Sequence, residues 1–265
     1  MLRFTANLSL LFTELPLIER FRAAKYCGFD AVEIQFPYEL PAEAIQAELQ
    51  AHDLKLVLFN VAADTLLQGG EGLAAVPEKQ AQFKMAIEQA MTYAQVLKPD
   101  VINVLPGCCF NPRRLQEYLH TLKTNLRYAA TTFADIGVTT VFEAINSHDM
   151  PGFIVDKSSQ MLALLEEVNH PQLKLQYDIY HMQRMQEDSA AVLKQCIDKI
   201  GHIQFADCPG RGQPGTGAID FELLFGLIAN LPYQGWVGAE YKPLAATLES
   251  LGWMKSWSAK FTTAL

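Results

Sequence analysis

Short apolar runs and longer amphipathic runs alternate along the whole chain. Residues 4–10 read as a first strand. Thr13, Glu14 and Pro16 then open a helix, with Thr13 as its cap, Leu17, Phe21 and Ala24 as its buried stripe and Gly28 as its end. Residues 31–35 predict a second strand, stopped by Pro37, and residues 41–52 a second helix. Residues 55–61 are almost continuously apolar, as strands of a parallel sheet covered by helices tend to be. The alternation continues with a helix over 77–97, a strand over 101–105, a helix over 112–135 closed by Gly137, and a fifth strand over 141–146. Helices over 157–168, 189–200 and 220–229 then alternate with strands over 173–178, 202–207 and 236–240. Trp253 and Trp257, four residues apart, share one helical face and predict a last helix packed on the barrel wall. Residues 62–76, with Gly69, Gly70 and Gly72, are long for a strand-to-helix connection; a mobile lid and an ordinary surface excursion both fit.

Strand and helix alternate with no linker-like tract, which predicts right-handed crossovers, a parallel sheet and one domain over residues 1–265. About eight such repeats in a chain of 265 residues favour a closed (β/α)8 TIM barrel, which needs about 250 residues, over an open doubly wound sheet. The first strand is not followed by a GxGxxG turn, which weakens the dinucleotide-binding alternative.

The last strands share a further feature. The strand over 141–146 carries Glu143, followed by a polar loop; the next ends on Asp178, the next holds Gln204 in its middle, and the last ends on Glu240. A carboxylate on an apolar strand is costly unless a cation or hydrogen bonds satisfy it. The four residues lie 35, 26 and 36 apart, each close to the roughly 30 residues of one βαβ repeat. In a barrel, neighbouring strands would carry them to one mouth, at the C-terminal ends where active sites sit. Convergence on one metal ion is therefore expected of Glu143, Asp178, Gln204 and Glu240. Three carboxylates and an amide oxygen form a hard set that suits Mg2+ or Mn2+ better than zinc, with positions left open for substrate or water.

Composition narrows the partners. Hydrophobic residues make up 50% and charged residues 19%, enough for a large core and too apolar for extensive disorder. A net charge of −8 argues against nucleic acid, whose phosphates need a basic face, but leaves room for a small anionic substrate met by one local cation. Five scattered cysteines with no CxxC pair predict neither a zinc knuckle nor a disulfide framework. No signal peptide and no membrane span are evident, which predicts a cytoplasmic protein. The sequence shows no oligomer interface and is compatible with a homo-oligomer.

Several stretches together resemble one family: Ala6-Asn7-Leu8-Ser9, Gly28-Phe29-Asp30-Ala31-Val32-Glu33, Phe142-Glu143, Tyr177-Asp178-Ile179-Tyr180-His181, Gly201-His202-Ile203-Gln204-Phe205-Ala206-Asp207, Pro214-Gly215-Thr216-Gly217 and Gly238-Ala239-Glu240-Tyr241. They are similar to the hydroxypyruvate isomerase family of the xylose-isomerase-like TIM barrel superfamily, and most similar to its 2-oxo-tetronate isomerase branch, which acts on four-carbon oxo-acid sugars. The resemblance spans essentially the whole chain. It implies metal ligation by Glu143, Asp178, Gln204 and Glu240, with Glu143 and Glu240 as the acid/base pair of an isomerisation through an enediolate. Sugar epimerases of the superfamily usually carry His where Gln204 stands, so the resemblance favours an oxo-acid isomerase over a ketose 3-epimerase. Hydroxypyruvate isomerisation and a non-catalytic sugar-acid binding barrel stay open beside it.

His181, three positions past Asp178, corresponds to a histidine that contacts substrate oxygens in superfamily relatives; a structural loop histidine is its other reading. Arg211 is either a bidentate partner for the substrate carboxylate or a solvated loop charge. Lys242 suggests a Schiff base only weakly, because the carboxylates already offer a metal-based route. Asp207 and Glu33 are expected behind the ligands rather than in the chemistry.

Overall fold

The apolar runs become strands that bury both faces, one toward the barrel axis and one toward covering helices. The computed structural model describes residues 2–254 and 257. Its strands are β1 (Phe4–Asn7), β2 (Ala31–Ile34), β3 (Lys55–Asn60), β4 (Val101–Asn103), β5 (Thr139–Glu143), β6 (Leu173–Asp178), β7 (Ile200–Phe205) and β8 (Val237–Ala239). Each pairs in parallel with the next, and β8 pairs back onto β1, so the sheet closes into a barrel. The expected (β/α)8 architecture is what the chain adopts. The helices are α1 (Leu17–Tyr26), α2 (Ala42–Ala51), α3 (Gln80–Leu97), α4 (Leu115–Ala134), α5 (Ser158–Val168), α6 (Ile179–Arg184), α7 (Ser189–Cys196), α8 (Phe221–Asn230) and α9 (Thr247–Ser250).

An aromatic knot closes the wall where the chain ends meet. Phe205 of β7 is fully buried and packs edge-on against Phe4 of β1, Phe221 and Phe225 of α8, and Trp253. Trp253 packs on the wall as its spacing predicts, and Trp257 meets Phe225 at 5.2 Å; the rest of the predicted last helix lies outside the described residues.

Several boundaries differ from the sequence reading. β1 stops at Asn7, because Leu10 and Leu11 donate back to the Asn7 carbonyl at 3.1 and 2.8 Å and Ser9 N–H donates to Asn7 Oδ1 at 3.0 Å. This turn occupies the predicted end of the strand. Thr13 does not cap α1, which starts four residues later with Pro16 at the cap position. The helix expected over 189–200, α7, ends at Cys196, and one 3-10 turn (Ile197–Lys199) leads into a strand that begins two residues earlier than expected. The short α6 was not foreseen: Asp178 Oδ1 accepts from Tyr180 N–H at 2.8 Å and starts a helix directly at the strand end.

Within residues 62–76 the second half is packed down, while Asp64, Thr65 and residues 67–69 are exposed. Leu66 and Leu73 to Val76 are buried, Glu71 O accepts from Cys108 N–H at 3.0 Å, and Ala74 O accepts from Asn125 Nδ2 at 2.8 Å. The five cysteines are all free thiols. Among the described residues no helix is long and apolar enough to cross a membrane.

Truncating Phe205 to Ala removes the ring that four aromatic neighbours surround. The expected loss is about 3–5 kcal/mol in chemical denaturation. A loss below about 1 kcal/mol would show that the knot repacks without it.

Candidate active site

A polar residue closes every strand at the C-terminal end of the barrel. Asn7, Gln35, Asn60, Asn103, Glu143, Asp178, Gln204 and Glu240 stand at or next to the ends of β1 to β8 in that order. The parallel register carries them to one rim, so residues up to 233 positions apart in sequence share hydrogen bonds.

The carboxylates are held by amides. Glu240 Oε1 accepts from Asn7 Nδ2 at 2.9 Å and from Gln35 Nε2 at 3.0 Å. Glu143 accepts from Asn103 Nδ2 at 3.0 Å and from Gln176 Nε2 at 2.8 Å. Burial, then the charges of Glu240 and Asp178, raise the Glu143 carboxyl well above the ordinary carboxylate value, despite these two donors. Burial also raises Asp178; the Arg211 guanidinium pulls it back and Glu240 pushes it further up. Asp178 and Glu240 both face the Arg211 guanidinium, and Glu143 and Glu240 line one cavity, so the three carboxylates share one buried spot.

Arg211 enters that spot from the loop after β7. Its Nη2 lies 2.6 Å from Glu240 Oε2 and 3.8 Å from Asp178 Oδ2, and its guanidinium stacks 5.1 Å over the Tyr180 ring. Burial opposes the charge, but Glu240, Asp178 and Glu143 together hold the guanidinium protonated above its ordinary range. A solvated loop charge is thereby excluded. Its backbone is left-handed at φ 56, and its carbonyl accepts from Lys242 N–H at 2.7 Å. The loop itself is tied by Asp207. That carboxylate accepts from the N–H groups of Cys208, Gly215, Gly217 and Ile219 at 2.8–3.1 Å.

His181 sits on the first turn of α6, its Nε2 3.5 Å from Asp178 Oδ2. Burial and then Arg211 lower it well below its ordinary value, so the ring is neutral. Asn146 donates to His181 Nδ1 from Nδ2 at 2.7 Å, which leaves the ring proton on Nε2. Asn146 is held in turn by Asp149, which also accepts from the Tyr180 hydroxyl at 2.6 Å.

A cavity of about 180 Å3 opens on this rim. Glu143, Glu240, His181 and Arg211 line it, with Asp149 and the apolar Phe36 among the remaining walls. Asp178 and Gln204 stand behind that lining, buried at 2% and 1% exposure. Gln204 bonds to Gln176 and Glu33, at 2.6 and 2.8 Å. The sequence reading missed Asn7, Gln35, Asn60, Asn103, Gln176, Asn146 and Asp149. The signal for four of them was present: a polar residue closing an apolar run, as the carboxylates do.

Of the four expected ligands, Asp178 keeps a free oxygen of the kind a hard divalent cation takes. Asp178 Oδ2, Asn103 Oδ1 and Gln176 Oε1 are buried acceptors without a hydrogen-bond partner. Among the described residues, no three His, Cys, Asp or Glu side chains form a ready metal cage, and the Arg211 guanidinium supplies the positive charge between Asp178 and Glu240.

The family model described as xylose isomerase-like TIM barrel matches residues 21–257. Hydroxypyruvate isomerase of Escherichia coli (strain K12) is 42% identical over 96% of this chain and 98% of its own. 2-oxo-tetronate isomerase of Cupriavidus necator is 40% identical over 96% and 98%. Among solved structures, AP endonuclease, family 2 from Brucella melitensis superposes at a TM-score of 0.94 with 34% identity, covering 97% of this chain and 99% of that one. The 3-keto-D-glucoside 4-epimerase of E. coli superposes at 0.83 with 22% identity over 97% and 100%, a likeness of fold.

Asp207→Asn turns a donor toward two of the four N–H groups that the carboxylate now satisfies, at about 1–3 kcal/mol for each buried group left unpaired. In hydrogen exchange, the amides of Gly215, Gly217 and Ile219 are expected to exchange about tenfold faster or more. Unchanged exchange would show that other contacts hold the Arg211 loop.

Proposed function

The chain belongs to the xylose isomerase-like TIM barrel family, and on that premise we propose that it interconverts the 2-oxo and 3-oxo forms of a four-carbon sugar acid, as a 2-oxo-tetronate isomerase. It is an isomerase of the oxo-acid kind, by its near-full-length relatives of that description. One observation carries the finer reading: two glutamates and a guanidinium line one cavity of about 180 Å3. That volume lies below the several hundred Å3 of drug-sized pockets and suits a molecule of a few carbons.

The reaction moves a carbonyl between neighbouring carbons. A base removes the proton from the carbon that bears the hydroxyl, and the electron pair left behind forms the double bond of an enediolate. A proton then reaches the former carbonyl carbon, while the proton of the original hydroxyl passes to the new one. Glu143 and Glu240, from β5 and β8, are assigned these two proton transfers. The raised proton affinity of Glu143 suits it to hold a proton near neutral pH. His181 offers its Nε2 proton to a substrate oxygen, and Arg211 receives the substrate carboxylate on its planar fork. A cation such as Mg2+ or Mn2+, held by Glu143, Asp178, Gln204 and Glu240, would stabilise the developing oxyanion electrostatically.

Hydroxypyruvate is the second substrate to weigh, because the 42% identical relative bears that name. The endonuclease name of the Brucella structure fits this chain less well. A net charge of −8 gives phosphates little to bind, and none of the four expected ligands, Glu143, Asp178, Gln204 and Glu240, is a histidine. The acidic, unpaired-thiol chain is assigned to a reducing compartment, the cytoplasm.

With Mg2+ or Mn2+, the enzyme is expected to interconvert the oxo-tetronates, and EDTA to abolish turnover. Glu143→Gln and Glu240→Gln are each expected to lower kcat about 100-fold or more. Full turnover after rigorous metal removal would eliminate the cation from the mechanism. Higher kcat/KM on hydroxypyruvate would reassign the substrate.

A further inference from the structure

Below the rim lies a second polar layer that the isomerisation does not use. Glu33 of β2 and His202 of β7 are buried inside the barrel at 0% and 1% exposure, with Glu33 Oε1 2.8 Å from His202 Nε2. The other Glu33 oxygen, Oε2, accepts from Gln204 Nε2 at 2.8 Å and from Asn7 Nδ2 at 3.4 Å. Gln204 Oε1 in turn accepts from Gln176 Nε2 at 2.6 Å, and the same nitrogen donates to Glu143 Oε2 at 2.8 Å. A chain of hydrogen bonds therefore runs from His202 through Glu33, Gln204 and Gln176 to Glu143.

An amide has two ends that differ in chemistry and little in shape, so a buried glutamine needs a partner to fix which end faces where. Whichever of His202 and Glu33 carries the proton between them, Glu33 Oε2 is left as an acceptor. Only the nitrogen of Gln204 can face it. Room for this carboxylate comes from across the sheet: a Cβ at Gly238, two residues before Glu240, would collide with Glu33 Oε1.

We propose that Glu33 is a positioning residue: its carboxylate turns the Gln204 amide so that oxygen, not nitrogen, faces Glu143 and its neighbours. This rests on the reading of Gln204 as a cation ligand, since an N–H pair turned the other way would repel a cation.

The test measures Mn2+ affinity by paramagnetic resonance, independently of turnover. Glu33→Met frees the amide and is expected to weaken Mn2+ binding about 10- to 100-fold, as removal of a group that orients a metal ligand does. In Glu33→Met/Gln204→Glu the side chain at 204 shows an oxygen whichever way it turns, and the net charge equals that of the parent. This double variant is expected to recover to within about threefold of the parent. Recovery is a result that simple loss of packing at position 33 does not give.

Parent-like affinity in Glu33→Met, or no recovery in the double variant, overturns the proposal. If Glu33→Met does not fold, Glu33→Gln/Gln204→Glu, which exchanges carboxylate and amide in place, decides: affinity near the parent supports orientation by Glu33 and a loss of tenfold or more refutes it. A parent protein that binds no Mn2+ would instead sink the cation reading itself, and is seen before any variant is made.

Discussion

Negative charge buried at one end of the barrel is the condition to which the rest of the structure answers. Glu143, Asp178 and Glu240 are 2–6% exposed and feel one another's charge. Two unit charges about 4 Å apart repel by about 4 kcal/mol at an effective dielectric of about 20. A hydrogen bond to a charged group contributes about 1.5–3 kcal/mol. Two amide donors on each glutamate thus offset roughly one neighbouring charge. Asn7 and Gln35 do this for Glu240, and Asn103 and Gln176 do it for Glu143. The remaining imbalance needs a cation, and Arg211 provides one from the loop after β7.

That answer has its own structural demands. A guanidinium reaches the mouth only if its loop doubles back over the barrel. Arg211 therefore sits in a left-handed backbone conformation, which costs a non-glycine residue of order 1–3 kcal/mol. The Asp207 carboxylate gathers four backbone N–H groups and holds the loop in that path. Asp207 is thus a folding device at the end of β7: it holds the backbone of the Arg211 loop rather than standing behind the expected ligands. The loop's shape, and so the reach of Arg211, depends on it.

The barrel and the carboxylate half of the rim were legible because each signal is local. An apolar run closed by Glu143, Asp178 or Glu240 stands out against its neighbours, and the repeat length places such runs side by side. The amide half was not legible on the same terms. Asn7, Asn60 and Asn103 close their strands in the same way, but an asparagine at a strand end is also an ordinary turn residue, as the Ser9 bond to Asn7 Oδ1 shows. Their role exists only across the barrel, between residues as distant as Asn7 and Glu240. The missed helix of residues 179–184 has the same origin. It starts because Asp178 caps it, a function hidden when Asp178 is read only as a ligand.

The choice of glutamine at 204 ties the two layers together. A histidine there would offer an N–H to Glu33 and a nitrogen lone pair toward the mouth, so its two ends would differ by protonation. A glutamine offers N–H and a harder oxygen, and its ends differ only by rotation of the amide. The barrel interior removes that freedom by placing acceptors at both ends of the amide chain, Glu33 below Gln204 and Glu143 above Gln176. The one orientation compatible with both leaves Gln176 Oε1 without a partner and turns Gln204 Oε1 onto Gln176 Nε2, on the side of Glu143. Buried polarity that would otherwise be a liability to the core thereby fixes the direction in which the site presents its oxygen atoms.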